Sequence, residues 1–271
     1  VSTAVVYSAS SVAATGGGDS FTPPDPSIFD LPPIFHSIEW LTKPMLMAII
    51  SVFLVAGFFL ITSRKAAIVP GKAQYTGELA YSFVRNTFGR DMIGPEFMKF
   101  VPYLVALFFF ILVNNVFGVI PLIQFPTFSH VGWAYALTAV SWVVYNGVGV
   151  ARHGFFGYLK HVSLPSGVPV WMWPLIIPLE FASNILVRPL TLSLRLFANM
   201  FAGHLVLAVF TLGGSYLLIN SDVWFHKPVG VIAFALGIAL TFLELLVQVL
   251  QAYIFTILTA SYISGALAED H

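Results

Sequence analysis

The 271-residue chain has no cysteine, so disulfides, thiolate metal sites, iron–sulfur ligation and a cysteine nucleophile are excluded. It is also short of charge. Asp, Glu, Lys and Arg make up 9% of the residues, whereas a soluble domain carries about 25%. That is too little charge to cover a water-soluble globule. Neither sign predominates, because 12 basic residues balance 12 acidic ones, and nothing suggests nucleic-acid binding by bulk electrostatics. No internal repeat is visible, which weighs against an inverted-repeat transporter. What the chain does have is apolar. Hydrophobic residues make up 58%, Phe occurs 26 times and Trp 6 times, and mean hydropathy is +0.88. An all-α integral membrane protein is expected, with aromatic anchors at the interfaces.

The few charges divide the chain. Between Lys43 and Arg64 lie 20 uncharged residues, 44–63, the length of one bilayer crossing. Another 52 separate Lys99 from Arg152, interrupted by Pro121, Gln124, Pro126, Ser129 and His130. Those breakers predict a loop between two spans, 102–120 and 132–151. Residues 170–220 and 228–268 are expected to form two long tilted helices. The last block holds 41 residues with Glu244 as its only charge. As one helix it is about 60 Å long, twice the roughly 30 Å hydrocarbon core. No turn cluster sits near its centre, so one oblique helix is expected in preference to a hairpin.

Residues 71–100 mix seven charged side chains with Leu79, Phe83, Val84, Phe88, Ile93 and Phe97. An interfacial amphipathic helix is predicted there, broken by Gly89, Gly94 and Pro95. A loop carrying a short helix is the alternative. Residues 1–33, rich in small residues and then in proline, read as an external flexible arm before a single membrane domain, 34–271. They show no basic, transit-like segment, which favours a bacterial plasma membrane over an organelle. Eight Lys and Arg fall in 63–100 and 152–165, against Lys43 and Lys227 on the other side. Five crossings then place the N-terminus outside and the C-terminus inside.

The two long segments carry the candidate chemistry. Thr241, Glu244, Gln248 and Gln251 line one narrow face of the last helix. Such a stripe faces protein or water and never lipid. Interhelical hydrogen bonding would explain the glutamines, but an ionisable Glu244 points to function. In the preceding segment Pro174, Pro178 and Pro189 are expected to kink the first half. Arg188 and Arg195 are seven apart and share a face with Thr191, Asn199 and Ala202. Arginine keeps its proton, so Arg195 is a permanent charge at membrane depth, and Glu180 is too far along the helix to pair with it. An electrostatic barrier or counter-ion fits such a charge. Arg188, beside Pro189, reads as an interfacial snorkelling residue. His204 points away from Arg195, and an antiparallel neighbour could bring it to Glu244 as a pair that relays protons.

The run 188–204, Arg-Pro-Leu-Thr-Leu-Ser-Leu-Arg-Leu-Phe-Ala-Asn-Met-Phe-Ala-Gly-His, closely resembles the signature of the F-type ATP synthase subunit a family. The run from Gln248 to Tyr262 resembles that family's C-terminal helix. Val69-Pro-Gly-Lys-Ala-Gln74 and Asn114-Asn-Val-Phe-Gly-Val-Ile-Pro121 follow family segments in the same order. The resemblance covers residues 34–271 and implies a non-catalytic stator subunit pressed against a rotating ring of c subunits. It also implies b subunits of a peripheral stalk and the other ATP synthase subunits as partners. No cofactor, metal or nucleic acid is implied.

By the same resemblance, Arg195 is the family's essential arginine, which attracts the ring's carboxylates and separates two aqueous half-channels. Asn199 corresponds to an asparagine on the access path, and Gln251 to a glutamine near the arginine. His204 and Glu244 fill two paired family positions, in the order of the mitochondrial members. Gly118 stands where some members carry an acid, which leaves Asn115 or His130 to hydrate the mouth. Gln248 completes the expected proton-translocating set. Two other classes compete with this reading. An autonomous cation/proton antiporter would be expected to show inverted repeats and broken midplane helices. A purely structural scaffold leaves Arg195 and Glu244 unexplained.

Overall fold

Pro44, with its preset φ, opens the first helix, α1, Lys43–Ser63. Its 21 residues reach about 30 Å, one hydrocarbon thickness. The computed structural model describes residues 42–64, 67–120, 127–163, 172–219 and 224–268, together with Pro24. The remainder of the expected 1–33 arm, and Pro121, Gln124 and Pro126 of the expected loop, lie outside the described residues.

The amphipathic segment begins as α2, Lys72–Val84, and continues as a π-helical turn, Arg85–Arg90, and a short turn, Asp91–Ile93. Gly94 ends it with φ +82°, a conformation that glycine tolerates best. The expected break at Gly89 does not occur. A Cβ there would lie 3.0 Å from Phe97 Cδ2 and 3.2 Å from Val101 Cγ2, so this glycine serves close packing instead. The apolar side of the segment also packs inward. Val84 and Phe88 are fully buried, and the Phe88 ring packs 5.5 Å from Phe108 and 5.1 Å from Tyr253. Its apolar face was long enough to enter the core.

After a 3₁₀ turn, Phe97–Lys99, come α3, Val101–Val119, and α4, Val131–His153. Gly154 then turns the chain into the short α5, Phe155–Ser163. Next come α6, Trp173–Ala182, a π-helical turn, Ser183–Val187, and α7, Arg188–Ile219. These last three run on as one 47-residue helical stretch. The π-helical turn stands just before Pro189, whose ring cannot donate to Ile185. The final helix, α8, His226–Leu267, continues unbroken for 42 residues, so a single helix is observed and the hairpin is not.

Among the described residues no strand occurs, and five helical stretches are long and apolar enough to cross a membrane. The protein is a multi-pass membrane protein. Helix α8 lies against α7, α3 and α4, while α1 is held at the edge by α2 and α3. Leu104, Ile111, Leu192, Leu196, Met200, Phe255 and Ile263 form the centre of the core. On α1, by contrast, Phe53, Leu60 and Ile61 are exposed, as a lipid-facing surface requires.

Candidate functional site

Helices α7 and α8 run antiparallel, which sets Asn199 opposite Gln251 and Gly203 and His204 opposite Glu244. At the centre, Gly203 has no side chain, and a Cβ there would collide with the Glu244 carboxyl. On α3, a Cβ at Gly118 would come within 2.7 Å of His204 Cε1 and Nε2. The two glycines form a socket for the His204–Glu244 pair. Within it His204 Nδ1 lies 3.4 Å from Glu244 Oε1 and 3.0 Å from the Met200 carbonyl oxygen. His204 Nε2 lies 3.0 Å from the Gly118 carbonyl oxygen. Both ring nitrogens therefore face acceptors, and only the doubly protonated ring can donate to both at once. The two side chains are 11% and 8% exposed, so the pair is enclosed by this chain alone.

The remaining stripe residues extend from this pair. Gln248 Nε2 donates to Glu244 Oε1 at 3.1 Å, and Asn115 Nδ2 donates to the Gln248 carbonyl oxygen at 3.0 Å. Asn199 Nδ2 donates to Gln251 Oε1 at 2.8 Å, tying α7 to α8. Asn115 Oδ1, Gln248 Oε1 and Gln251 Nε2 are buried and have no hydrogen-bond partner among the described residues. Buried polar atoms of this kind are places where water enters an apolar bundle. Thr241 takes no part, since its hydroxyl donates back to the Gly237 carbonyl of its own helix. Asn115 lies in the core and is fully buried. His130 directly precedes α4 and is half-buried.

Arg195 is placed differently. It is exposed on α7, flanked by the buried Leu192 and Leu196, and makes no hydrogen bond or ion pair among the described residues. The side chain nearest in role, Gln251, bonds Asn199 instead. Arg188 does not snorkel as expected. It is half-buried, its guanidinium sits 5.1 Å above the Tyr262 ring, and it lines a cavity of about 160 Å³. Tyr145, Tyr158, Glu180 and Asn184 share that lining. Burial pushes the Tyr158 phenol up, and the Arg188 charge works in the opposite direction.

Three features were missed by reading residues along the chain. The Gly118 and Gly203 socket is one, although the glycine next to His204 was a signal. The link from Asn114 Nδ2 to Ser51 Oγ, 2.7 Å, joins α3 to α1 and was marked only by two polar residues in apolar spans. The Arg188 cavity is the third. Among the described residues no group of three His, Asp or Glu could hold a metal ion.

The family described as ATP synthase A chain matches residues 45–264, a stretch that includes the socket, Arg195 and the α7–α8 pair. The chain belongs to this family. A relative named ATP synthase subunit a, from a Nocardioides species, is 52% identical over 274 aligned positions, covering 97% of this chain and 99% of the relative. A protein of the same name from Pseudarthrobacter chlorophenolicus is 48% identical, covering 92% and 94%. One from an Arthrobacter species is 47% identical with the same coverage. As an ATP synthase A chain family member, the protein takes part in ATP synthesis and proton transport within the membrane, the setting in which its buried charges are to be understood.

Proposed function

We propose that the chain is the stator subunit a of an F-type ATP synthase, conducting protons through two half-channels to and from a c-subunit ring. It has no catalytic site of its own. The observation that carries this reading is the contrast on α7. Arg195 is exposed and without an acceptor among the described residues, while nine residues later His204 is enclosed with Glu244. A permanent charge on the outside of a bundle needs a partner that supplies anions and excludes lipid. The carboxylates of a c-ring meet both needs.

In this mechanism His204 and Glu244 pass protons between one aqueous side and the ring. Gln248 and Asn115 hold the pair in register and offer free amide atoms to water. Asn199 and Gln251 brace the helix pair beside Arg195. Arg195 favours the deprotonated ring carboxylate and so releases its proton. It also blocks direct passage between the half-channels. Each charge moved contributes about 2.3 kcal/mol per 100 mV to rotation. The b subunits of a peripheral stalk and the other synthase subunits keep the chain from turning with the ring, and the lipid bilayer surrounds the rest. The membrane is a bacterial plasma membrane, the N-terminus is outside and the C-terminus inside. An external arm, 1–33, precedes one membrane domain, 34–271.

Vesicles containing the assembled synthase test this. ATP-driven pumping should require Arg195, and cysteines introduced at Ser10 and Ser264 should label from opposite sides. Normal pumping by Arg195→Ala, or labelling from one side only, would overturn the corresponding half of the proposal.

A further inference from the structure

Arg188 is the second arginine of α7, and the proton path described above makes no use of it. Its cavity is walled by α4 (Tyr145), α5 (Tyr158, Val162), α6 and the turn after it (Glu180, Asn184), and the end of α8 (Tyr262, Gly265). This is the end of the bundle near Arg152 and Lys160, where the basic residues gather. The guanidinium carbon lies over the Tyr262 ring, 5.1 Å from its centroid. Its N–H donors, five in a planar fork, meet no hydrogen-bond acceptor among the described residues. Across the same cavity stands Glu180, which does not pair with Arg188. One of its oxygens, Oε2, accepts from Asn184 Nδ2 at 3.2 Å, and that nitrogen also donates to the Val162 carbonyl at 3.0 Å.

Two opposite charges in one cavity would ordinarily close on each other, because a half-buried pair gains more from contact than an exposed one. Here they are held apart, one by a tyrosine ring and the other by an asparagine. About 160 Å³ lies beside them, well above the ~10–15 Å³ that one water needs. That space suits a small polar group. An occupant that satisfies both walls carries an anion at one end and a cation at the other. Leu159 on α5, Leu175 and Leu179 on α6 and Leu186 in the turn after it are exposed, as lipid-facing side chains are. Basic pockets between membrane helices at this depth are suited to lipid head groups.

We propose that this cavity binds the zwitterionic head group of a phospholipid, with its phosphate on the Arg188 guanidinium and its ammonium facing Glu180. The planar fork of arginine matches two phosphate oxygens, and its contact with the Tyr262 ring holds it at the cavity. The head group fastens the ends of α4, α5, α6 and α8 to one lipid on the Lys- and Arg-rich side.

The test uses the assembled membrane complex, depleted of lipid in detergent and then offered phosphatidylethanolamine, phosphatidylglycerol or soluble phosphoethanolamine, with native mass spectrometry as readout. One phosphatidylethanolamine per copy of this chain should be retained. Arg188→Gln should weaken that retention about tenfold to a hundredfold, Arg188→Lys less, and Arg152→Gln, which lies outside the cavity, not at all. Glu180→Gln should reduce the preference for phosphatidylethanolamine over phosphatidylglycerol without lowering phosphatidylglycerol retention. That ratio is one a general loss of folding would not change.

Equal retention by Arg188→Gln and Arg152→Gln would overturn the proposal. So would an unchanged lipid preference in Glu180→Gln, or soluble phosphoethanolamine binding as tightly as the lipid. Glu269 and Asp270 follow Ala266 closely in sequence and are the chain's own alternative partners for Arg188. If Glu269→Gln with Asp270→Asn raised retention tenfold or more, those carboxylates would already occupy Arg188 in the intact chain and the proposal would fail.

Discussion

The surface around Arg195 and the socket around His204 are nine residues apart on one helix, yet their states are opposite. The socket is complete. Two glycines, two backbone carbonyls, Glu244 and Gln248 surround the imidazole, all from this chain. The arginine surface is unfinished, with a permanent charge exposed beside apolar residues and no acceptor among the described residues. The difference separates two kinds of work. A group that must keep a partner from one turnover to the next is enclosed by its own chain. A group that must meet a succession of partners is left open.

The largest expected effect tests the open side. Arg195→Ala should abolish coupled ATP synthesis and let protons leak passively through the assembled sector, measured by pH-dye quenching in vesicles. Arg195→Lys keeps the charge but loses the planar fork, and should also abolish synthesis. Leak-free pumping by Arg195→Ala would erase the contrast.

Next comes the closed side. His204→Ala or Glu244→Ala should slow proton translocation while the complex still assembles. Exchanging the two, His204→Glu with Glu244→His, should recover more activity than either single exchange. Strictly additive losses in that cycle would mean the residues are uncoupled.

The socket itself can be broken without touching a polar group. Gly203→Ala drives a methyl into the Glu244 carboxyl, and a misplacement of about 1 Å at a working group costs on the order of a hundredfold in rate. Gly118→Ala should act in the same direction through His204. In both, proton flux should fall well before assembly does. Unchanged flux would show the pair is looser than its glycine walls imply.

A smaller effect is expected at the edge, where Ser51→Ala removes the hydroxyl that accepts from Asn114. Hydrogen bonds between membrane helices average about 0.6 kcal/mol, so thermal stability should drop slightly with proton flux unchanged.

The smallest effect lies outside the membrane, at Glu96. Lys99, first by its hydrogen bond and then by its charge, and Arg152 by its charge, hold this carboxyl below the usual range. A lowered pKa means that the contribution is present above the ordinary carboxylate value of about 4.3. It is lost as pH falls through the lowered one. Because the group is exposed, Glu96→Gln should move the thermal midpoint at neutral pH less than Ser51→Ala does.

Much of this was legible along the chain. The spans, the unbroken α8 and the polar stripe follow from where charge and turn residues are missing, and a membrane makes that pattern strict. Every backbone group in lipid must be satisfied inside its own segment, so an apolar run of sufficient length has little choice but a helix. The resemblance to a known family was likewise carried by contiguous residues around Arg195, and the family match spans that stretch. Gly89 was misread because a glycine in isolation signals a break, whereas the space beside it depended on Phe97 and Val101, which fold back onto it. Arg188 was misread because snorkelling is what a lone arginine near a helix end does, and the tyrosines that hold it inward come from α4, α5 and α8.

The sequence alone thus determined that the chain crosses a membrane in helices and which polar residues had to be kept from lipid, because hydropathy and helical spacing are local properties. Only the tertiary structure decided which of those residues are paired and which are left open. Pairing depends on the antiparallel register of α7 and α8 and on the gaps left by glycines on two helices. Those distances arise between segments far apart in sequence, and no local pattern encodes them.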